Sequence, residues 1–438
     1  MKSSAFSGGV HPQDFKQFTA SLAVESCPLP EELVLPLVMH IGAPATPCVE
    51  VGSRVKKGQL IAAPKGFVSA GVHASTSGEI RAIEPRMHVN GSRMQAMVLV
   101  PDGEDAWADG LEGAGPNELT GDDIRDRIRA AGIVGLGGAA FPTAVKLSPP
   151  EAKRINTLII NGVECEPFLT ADHRLMLEEG ERVLDGIEIL RCLLGVDRAI
   201  LGIEDNKPDA IAHMDKLCRK SVVEVKALPV RYPQGAEKQL IFAACGRTVP
   251  SGGLPMDVGV VVQNVGTAAA VSDAIRKGRP LVERICTVSG PGLVRPANLR
   301  IPIGAPLSHL VKVCGGLRGR TTKILAGGPM MGMAQAGLEA SATKGTSGLL
   351  IFDETAAQLR PEGPCIRCGR CVSACPMRIS PTTIAAYSRL DMIDAAEQNN
   401  AMDCIECGCC SYICPAGLPL VQSLRYARGA IAARRRRV

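Results

Sequence analysis

At 438 residues the chain is long enough for three or four domains of ordinary size, and a formal charge of +5 is modest for that length. Glycine (47) and proline (31) are plentiful while aromatics make up 3% of residues, which predicts many tight turns and close backbone approaches, and a single tryptophan, Trp107, speaks against an aromatic-lined substrate groove. No window approaches about 20 uninterrupted apolar residues, and Met1 to Val10 has no apolar core, so neither a membrane span nor a cleavable signal is expected.

Residues 1–30 are irregular, with the turn-like Gly8-Gly9-Val10-His11-Pro12, and read as a strap. Residues 31–101 carry short β-prone runs broken by glycine: Leu35 to Met39, Val49 to Val51, Gln59 to Ala62, Gly78 to Ile83 and Met97 to Val100. They predict a small β-sandwich. Its turns at Val51 to Gln59 and His73 to Gly78 resemble those of biotinyl/lipoyl-type domains, but Lys65 lacks the symmetric hairpin and acidic flank that an attachment lysine uses. Residues 102–120 are acidic, glycine-rich and aperiodic, as in a linker.

The segment 121–280 opens with a helix. Thr120 is placed to cap it, Asp122 and Asp123 stand in its first turn, and Gly132 should stop it. The glycine-rich run Gly132 to Ala140 follows, ending in Phe141-Pro142-Thr143-Ala144-Val145-Lys146. Closely approaching backbone N–H groups, with Pro142 in the first turn of a following helix, suit a phosphate. A packing turn would look the same, and no lysine followed by serine or threonine makes this a nucleotide P-loop. Strands at Thr157 to Ile160, Ala199 to Ile203, Val222 to Leu228 and Val258 to Val262 alternate with helices, including one long helix over Ala171 to Leu194, and predict a doubly wound α/β domain. Asn161-Gly162-Val163-Glu164-Cys165-Glu166-Pro167 lies past the end of the first of these strands, where open α/β sheets bind ligands. Glu237 and the Asn264 to Thr267 stretch come late in the domain. Taken singly, Glu164, Glu166, Glu237 and Asn264 are equally consistent with satisfied structural groups.

Residues 281–340 read strand, strand, helix, strand, a β-grasp order, with Gly327 to Gly332 a turn and Leu349 to Phe352 a bridge onward. Residues 353–426 hold eight cysteines in two C-x2-C-x2-C-x3-C-P runs, Cys365, Cys368, Cys371, Cys375 and then Cys404, Cys407, Cys410, Cys414, each of the second set 39 residues after its counterpart. This triple spacing wraps thiolates around an iron–sulfur cube, and in two-cluster proteins the fourth cysteine reaches the other cube. One [4Fe–4S] cluster is therefore assigned to Cys365, Cys368, Cys371 and Cys414, the other to Cys404, Cys407, Cys410 and Cys375. Zinc wants two separated cysteine pairs, and a repeated offset of this kind is an odd disulfide frame. Cys409, outside the pattern, reads as a packed thiol. The remaining eight cysteines are scattered, as in a reducing compartment. Residues 427–438 end in Arg434 to Arg437, a basic tail suited to an anionic membrane surface, an acidic partner or plain solvation. No aromatic interleaving points it to nucleic acid.

Together these motifs resemble the RnfC family of the Rnf electron-transport complex, over nearly the whole chain from Gly8-Gly9-Val10-His11-Pro12 and His40-Ile41-Gly42-Ala43-Pro44-Ala45 to both cysteine quartets. The central domain also resembles the flavin-bearing subunit of respiratory complex I. The resemblance implies a multidomain α/β protein: barrel-sandwich hybrid, α/β flavin domain, β-grasp domain and helical two-cluster ferredoxin domain. It implies FMN at Gly135, Gly137, Gly138 and Lys146, with Asn161, Glu164 and Glu166 by the flavin and nicotinamide. It further implies Glu237 near the nicotinamide, and Asn264 and Thr267 at the flavin's other edge. Leu147 and Ala236 depart from the complex I pattern and weaken the NADH part of the match. The implied role is a peripheral subunit on the cytoplasmic face of the bacterial inner membrane. It would pass electrons between NADH, FMN and two [4Fe–4S] clusters, in contact with ferredoxin directly or through a partner subunit, any ion pumping belonging to the partners. A hydride delivers two electrons at once and a cluster carries one, so a flavin must stand between them. The rivals are a soluble reductase resembling cobalamin reductase, against which the N-terminal sandwich argues, and a non-catalytic iron–sulfur conduit, against which the intact glycine loop and Lys146 argue.

Overall fold

The computed structural model describes residues 5–356 and 361–436. Residues 33–101 form two facing sheets. One orders its strands Leu33–Pro36, Arg93–Pro101, Gly78–Met87, Arg54–Val55, and the other Thr46–Pro47, Leu60–Ala63, Val72–His73. The central hairpin is longer than expected, pairing Gly78 with Pro101 out to Met87 with Arg93. Val49 to Val51, expected as a strand, is a turn between two short strands.

Four parallel strands make the second unit, in the order Val223–Leu228, Arg198–Glu204, Thr157–Asn161, Val260–Asn264. Alternate residues of each strand face opposite sides. Leu158, Ile160, Leu201 and Ile203 pack under the helices Gly180–Leu194 and Val265–Arg276, while Ile159, Ile200, Val260 and Val262 pack on Glu237–Cys245. Helices thus cover both faces of a parallel sheet, as its hydrophobic strands require. Before it, Gly121–Ala130 starts with a capping box: Thr120 Oγ1 accepts from the Asp123 N–H at 3.2 Å and the Asp123 carboxylate accepts from the Thr120 N–H at 2.8 Å. The expected single helix from Ala171 to Leu194 is two, Ala171–Glu178 and Gly180–Leu194, broken where Glu179 leaves helical geometry to meet Arg182 and Arg300.

The third sheet orders Val24–Ser26, Ala297–Pro302, Glu283–Ser289, Gly348–Asp353, Thr321–Ala326, Met333–Gln335, with the helix Leu307–Val313 packed into the same core. It contains the β-grasp elements and two recruits. The strap supplies the edge strand Val24–Ser26, parallel to Ala297–Pro302, and the supposed bridge through Leu349 to Phe352 is an interior strand. Both recruits pair with partners distant in sequence.

The C-terminal unit is helical, with Pro381–Arg389, Ile393–Gln398 and Leu420–Arg435 around a core of its own. The basic tail set apart at residue 427 is a continuation of Leu420–Arg435, in which Ala427 and Ile431 are fully buried. Arg434 bonds Asp394 at 2.6 Å and Arg435 pairs with Glu397, so two of the four terminal arginines are turned back onto the protein.

Candidate redox centre

The glycine-rich run leaves its helix at Gly132 and folds back on itself, the N–H of Gly135 donating to the Phe141 carbonyl at 2.9 Å. Gly137, Gly138 and Ala139 project as three consecutive exposed residues, and among the described residues their N–H groups have no partner. A side chain added at Gly138 would meet nothing within 4 Å. This is an open, donor-lined loop of the kind that takes an oxyanion. The helix behind it is a single turn, Thr143–Lys146, with Pro142 preceding it as N-cap. The expected helix dipole therefore contributes little, and the loop's own N–H groups are the anion-binding feature.

Beside the loop, Asn161 and Asn264 end adjacent parallel strands and are register partners. A Cβ on Gly137 would lie 3.5 Å from the Asn264 side chain, which brings the loop to this strand edge. The Asn161 amide donates to the Gly235 carbonyl at 2.9 Å. The Asn264 oxygen accepts from the Gly266 N–H, capping the next helix, while its amide donates to Asp172 at 2.6 Å. Thr267, expected at the flavin's edge, is fully buried and accepts from the Leu136 N–H at 2.9 Å, so it anchors the loop from behind. Lys146 and Glu237, expected at opposite ends of the bound cofactors, form one ion pair at 2.6 Å, with Lys146 also donating to the Val262 carbonyl.

The two glutamates of the Glu164-Cys165-Glu166 stretch part company. Glu164 accepts from the N–H groups of Asp172 and His173 and so caps the helix Ala171–Glu178 on the glycine-loop side. Asp172, which no sequence motif singled out, is held between Glu164 and Asn264. Burial pushes its carboxyl up to about 7, the Glu164 charge adding to the effect. Glu166 turns the other way. Its carboxylate accepts from the N–H groups of Met330 and Met331 at 3.0 and 2.8 Å, and burial pushes it up to about 7 against those bonds. The turn Gly327 to Gly332 does receive an anion, the protein's own. Gly328 must be glycine there, since a Cβ would stand 2.3 Å from the Glu166 carboxylate.

Glu166 leads to the cysteines. Tyr232, 2% exposed, places its hydroxyl 3.4 Å from Glu166 and donates it to the Cys407 carbonyl at 2.8 Å. Cys409 is fully buried against the Tyr232 carbonyl, the packed thiol that was expected. The strap clamps the same joint. Val10 and Tyr232 exchange backbone hydrogen bonds, and the Gly9 N–H donates to the Ala374 carbonyl. Gly8, at φ +79°, sits so close to Cys375 that a Cβ would lie 2.6 Å from its carbonyl oxygen. Lys16, also from the strap, buries its ammonium on the carbonyls of Glu164, Glu166 and Leu169. None of these joints is visible in sequence, because the partners lie far apart along the chain.

A hollow in the C-terminal unit is lined by Cys375, Cys404, Cys407, Cys409 and Cys410, together with Ile379 and Leu424. Four of the five are three cysteines of the second quartet and the fourth of the first, the set that the crossed assignment groups together, and the fifth is Cys409. Among the described residues no group of three or more His, Cys, Asp or Glu side chains is placed to hold a single metal ion. A cube needs thiolates spread about a hollow, and this lining supplies thiols on several sides of one. Of the other set, Cys371 and Cys414 are buried, while Cys365 and Cys368 are exposed.

Comparison with known proteins agrees with this layout. Residues 128–273 match the Nuo51 FMN-binding domain, 4–104 the RnfC barrel sandwich hybrid domain, 285–334 the SLBB domain and 359–415 the 4Fe-4S dicluster domain. The chain is 48% identical to the C subunit of the proton-translocating ferredoxin:NAD(+) oxidoreductase complex of Clostridium ljungdahlii, over 96% of this chain and 93% of that one. It is 45% identical to the C subunit of the Na(+)-translocating ferredoxin:NAD(+) oxidoreductase complex of Acetobacterium woodii, over 100% and 99%. With the C subunit of the ion-translocating oxidoreductase complex of Rhodobacter capsulatus it shares 44% identity over 100% and 85%. A solved NAD+-reducing [NiFe]-hydrogenase in the H2-reduced state is similar in fold, with a TM-score of 0.51 and 19% identity over 75% of this chain and 64% of that one.

Proposed function

The chain belongs to the RnfC family, the C subunits of ion-translocating oxidoreductase complexes, and from that premise we propose that it exchanges electrons between NAD(H) and a membrane complex through FMN and two [4Fe–4S] clusters. The observation that carries this reading is the joint between its two centres. The donor-lined glycine loop and the cysteine-lined hollow belong to different domains, yet Tyr232 and the Gly8-Gly9 strap fasten those domains together.

Bound FMN supplies the conversion between a two-electron hydride and one-electron carriers. The protein's share is positioning and exclusion of water. The N–H groups of Gly137, Gly138 and Ala139 would hold the FMN phosphate, with Thr267 fixing the loop from behind through the Leu136 N–H. The Lys146–Glu237 pair lies near the surface, where Glu237 can exchange the ammonium for a nicotinamide amide. Glu164 sets the helix that carries Asp172 toward the same edge. Glu166 braces the turn that meets the cluster domain, a supporting role in place of the nicotinamide contact expected for it. Cys365, Cys368, Cys371 and Cys414 hold one cluster, and Cys404, Cys407, Cys410 and Cys375 the other. The other subunits of the complex hold the ion path, and this chain sits peripherally on the cytoplasmic face; no helix among its described residues is long and apolar enough to cross a membrane.

Anaerobic purification with measurement of iron, sulfide and flavin tests this. One FMN and about eight irons per chain are expected, with the flavin absorbance bleached by NADH. Two clusters without flavin would leave only a conduit.

A further inference from the structure

The Leu136–Gly137 peptide joins the inner and outer faces of the glycine loop. Its carbonyl accepts from the Arg284 guanidinium at 3.2 Å, and its N–H, that of Gly137, is one of the exposed donors without a partner among the described residues. A trans peptide points these two groups in opposite directions, so seating the carbonyl on Arg284 aims the N–H outward. The Lys344 ammonium secures the start of the loop, donating to the carbonyls of Gly132 and Gly71 at 2.6 Å each. The two cations are tied together, since the Arg284 guanidinium also donates to the Lys344 carbonyl at 2.6 Å. Next to them Gly345 packs so near the loop that a Cβ would stand 3.3 Å from the Gly138 carbonyl oxygen and 3.3 Å from the Ala140 Cβ. Arg284 lies on the strand Glu283–Ser289 and Lys344 just before the strand Gly348–Asp353, so both reach the loop from the third sheet.

Both cations are buried, Lys344 at 1% and Arg284 at 5% exposure, and among the described residues their hydrogen bonds go to carbonyls alone. Burial pushes the Lys344 ammonium down to about 7 and the Arg284 guanidinium below its usual range. Of the groups that favour the guanidinium's charge, burial pushes the Cys286 thiol up to about 12 and the Asp172 carboxyl up to about 7, so neither supplies a full negative charge at neutral pH. His40 and His73, near Lys344, are both held low by burial, with the Lys344 charge adding to the effect. Buried charge without a counter-charge is costly, and the open side of the loop is where an anion can supply one. We propose that Arg284 and Lys344 are positioning residues for the FMN phosphate, orienting the loop through its carbonyls and placing positive charge behind its N–H groups. This rests on the FMN reading above. A charge-assisted bond to a carbonyl polarises the peptide and strengthens its N–H as a donor, so the effect falls on the phosphate and not on the flavin ring. Lys146, the lysine that the motif offers for the phosphate, is engaged by Glu237 at 2.6 Å.

The test uses the full-length chain with its iron in place, freed of flavin by dialysis and titrated anaerobically with FMN and with riboflavin, which lacks only the phosphate. Binding is read from the quenching of flavin fluorescence. The natural chain should prefer FMN strongly. In R284Q and in K344Q that preference should fall about tenfold or more, with riboflavin affinity and iron content unchanged. R279Q, which removes an exposed arginine stacked over Trp107, should leave the preference as it is. If a glutamine variant loses iron, R284K or K344R is measured in its place and should keep most of the preference, because the charge is kept. An unchanged preference in iron-replete R284Q and K344Q, or a parallel loss of FMN and riboflavin of the kind a merely structural role gives, overturns the proposal. So does a preference lost in the charge-keeping variants, or equal binding of the two flavins by the natural chain. A natural chain that takes up neither flavin would instead count against the functional reading.

Discussion

The two cysteine quartets share one spacing and have opposite surroundings. Cys404, Cys407 and Cys410 are buried, Cys407 packing with Cys409 on Tyr232 and the loop at Gly408 meeting the turn at Met330, while Cys365 and Cys368 face solvent. Identical ligand patterns thus do not make equivalent centres. The protein around each one decides whether it is an inner relay or an outer contact, by setting access and dielectric. The second quartet in sequence is the one packed on the α/β domain, so the proposed path from flavin to outer cluster runs backward along the chain.

The sharpest way to break that contrast is to remove the shared fourth ligands. Cys375→Ser should abolish the inner cluster and spare the one on Cys365, Cys368, Cys371 and Cys414, cutting iron by about half; Cys414→Ser should do the reverse. Loss confined to the mutated quartet in electron paramagnetic resonance spectra would contradict the crossed ligation. Next in size is the strap. Lys16→Met strips the carbonyls of Glu164, Glu166 and Leu169 of their donor, and a loss of about 1–3 kcal/mol in urea unfolding is expected. Unchanged stability would mean that the strap is not what holds the inner joint. Ferricyanide should then bleach the outer cluster several-fold faster than the inner one, and equal rates would erase the contrast.

A smaller effect follows from Asp172. Its folded carboxyl is raised from the ordinary 3.8 to about 7, so its contribution to stability is present below the lower value and lost as pH rises through the upper one. Asp172→Asn should gain stability relative to the natural chain between pH 5 and about 7 and hold a constant difference above it, as read by melting temperature. A flat difference across that window would mean that Asp172 titrates normally.

The motifs that carry local chemistry are legible in sequence. Cysteine spacing, the Thr120 capping box, the glycine loop and the strand ends at Asn161 and Asn264 each depend on neighbours within a few residues. What stays hidden is long-range. Glu164 and Glu166 stand two residues apart and serve different domains, because the backbone turns at Glu164, φ +49°, and sends them opposite ways. Lys16 and Tyr232 look ordinary in sequence, and their partners are contributed by segments 148 and 175 residues away. The interior strand Gly348–Asp353 looks like a connector because a short apolar run carries no mark of what will pair with it. The arginine-rich end looks like a free tail, since the buried Ala427 and Ile431 are too few to announce a packed helix.

The order of the two centres can be read directly. Anaerobic holoprotein mixed with NADH and freeze-quenched for electron paramagnetic resonance should show the cluster on Cys404, Cys407, Cys410 and Cys375 reduced first. It should be reduced at the natural rate in Cys414→Ser, where the outer cluster is missing. In Cys375→Ser the flavin should still bleach while the outer cluster is reduced far more slowly. If the outer cluster is reduced first, or is reduced at full speed when the inner one is gone, the flavin does not communicate through the Tyr232 joint and the inner and outer assignments are wrong.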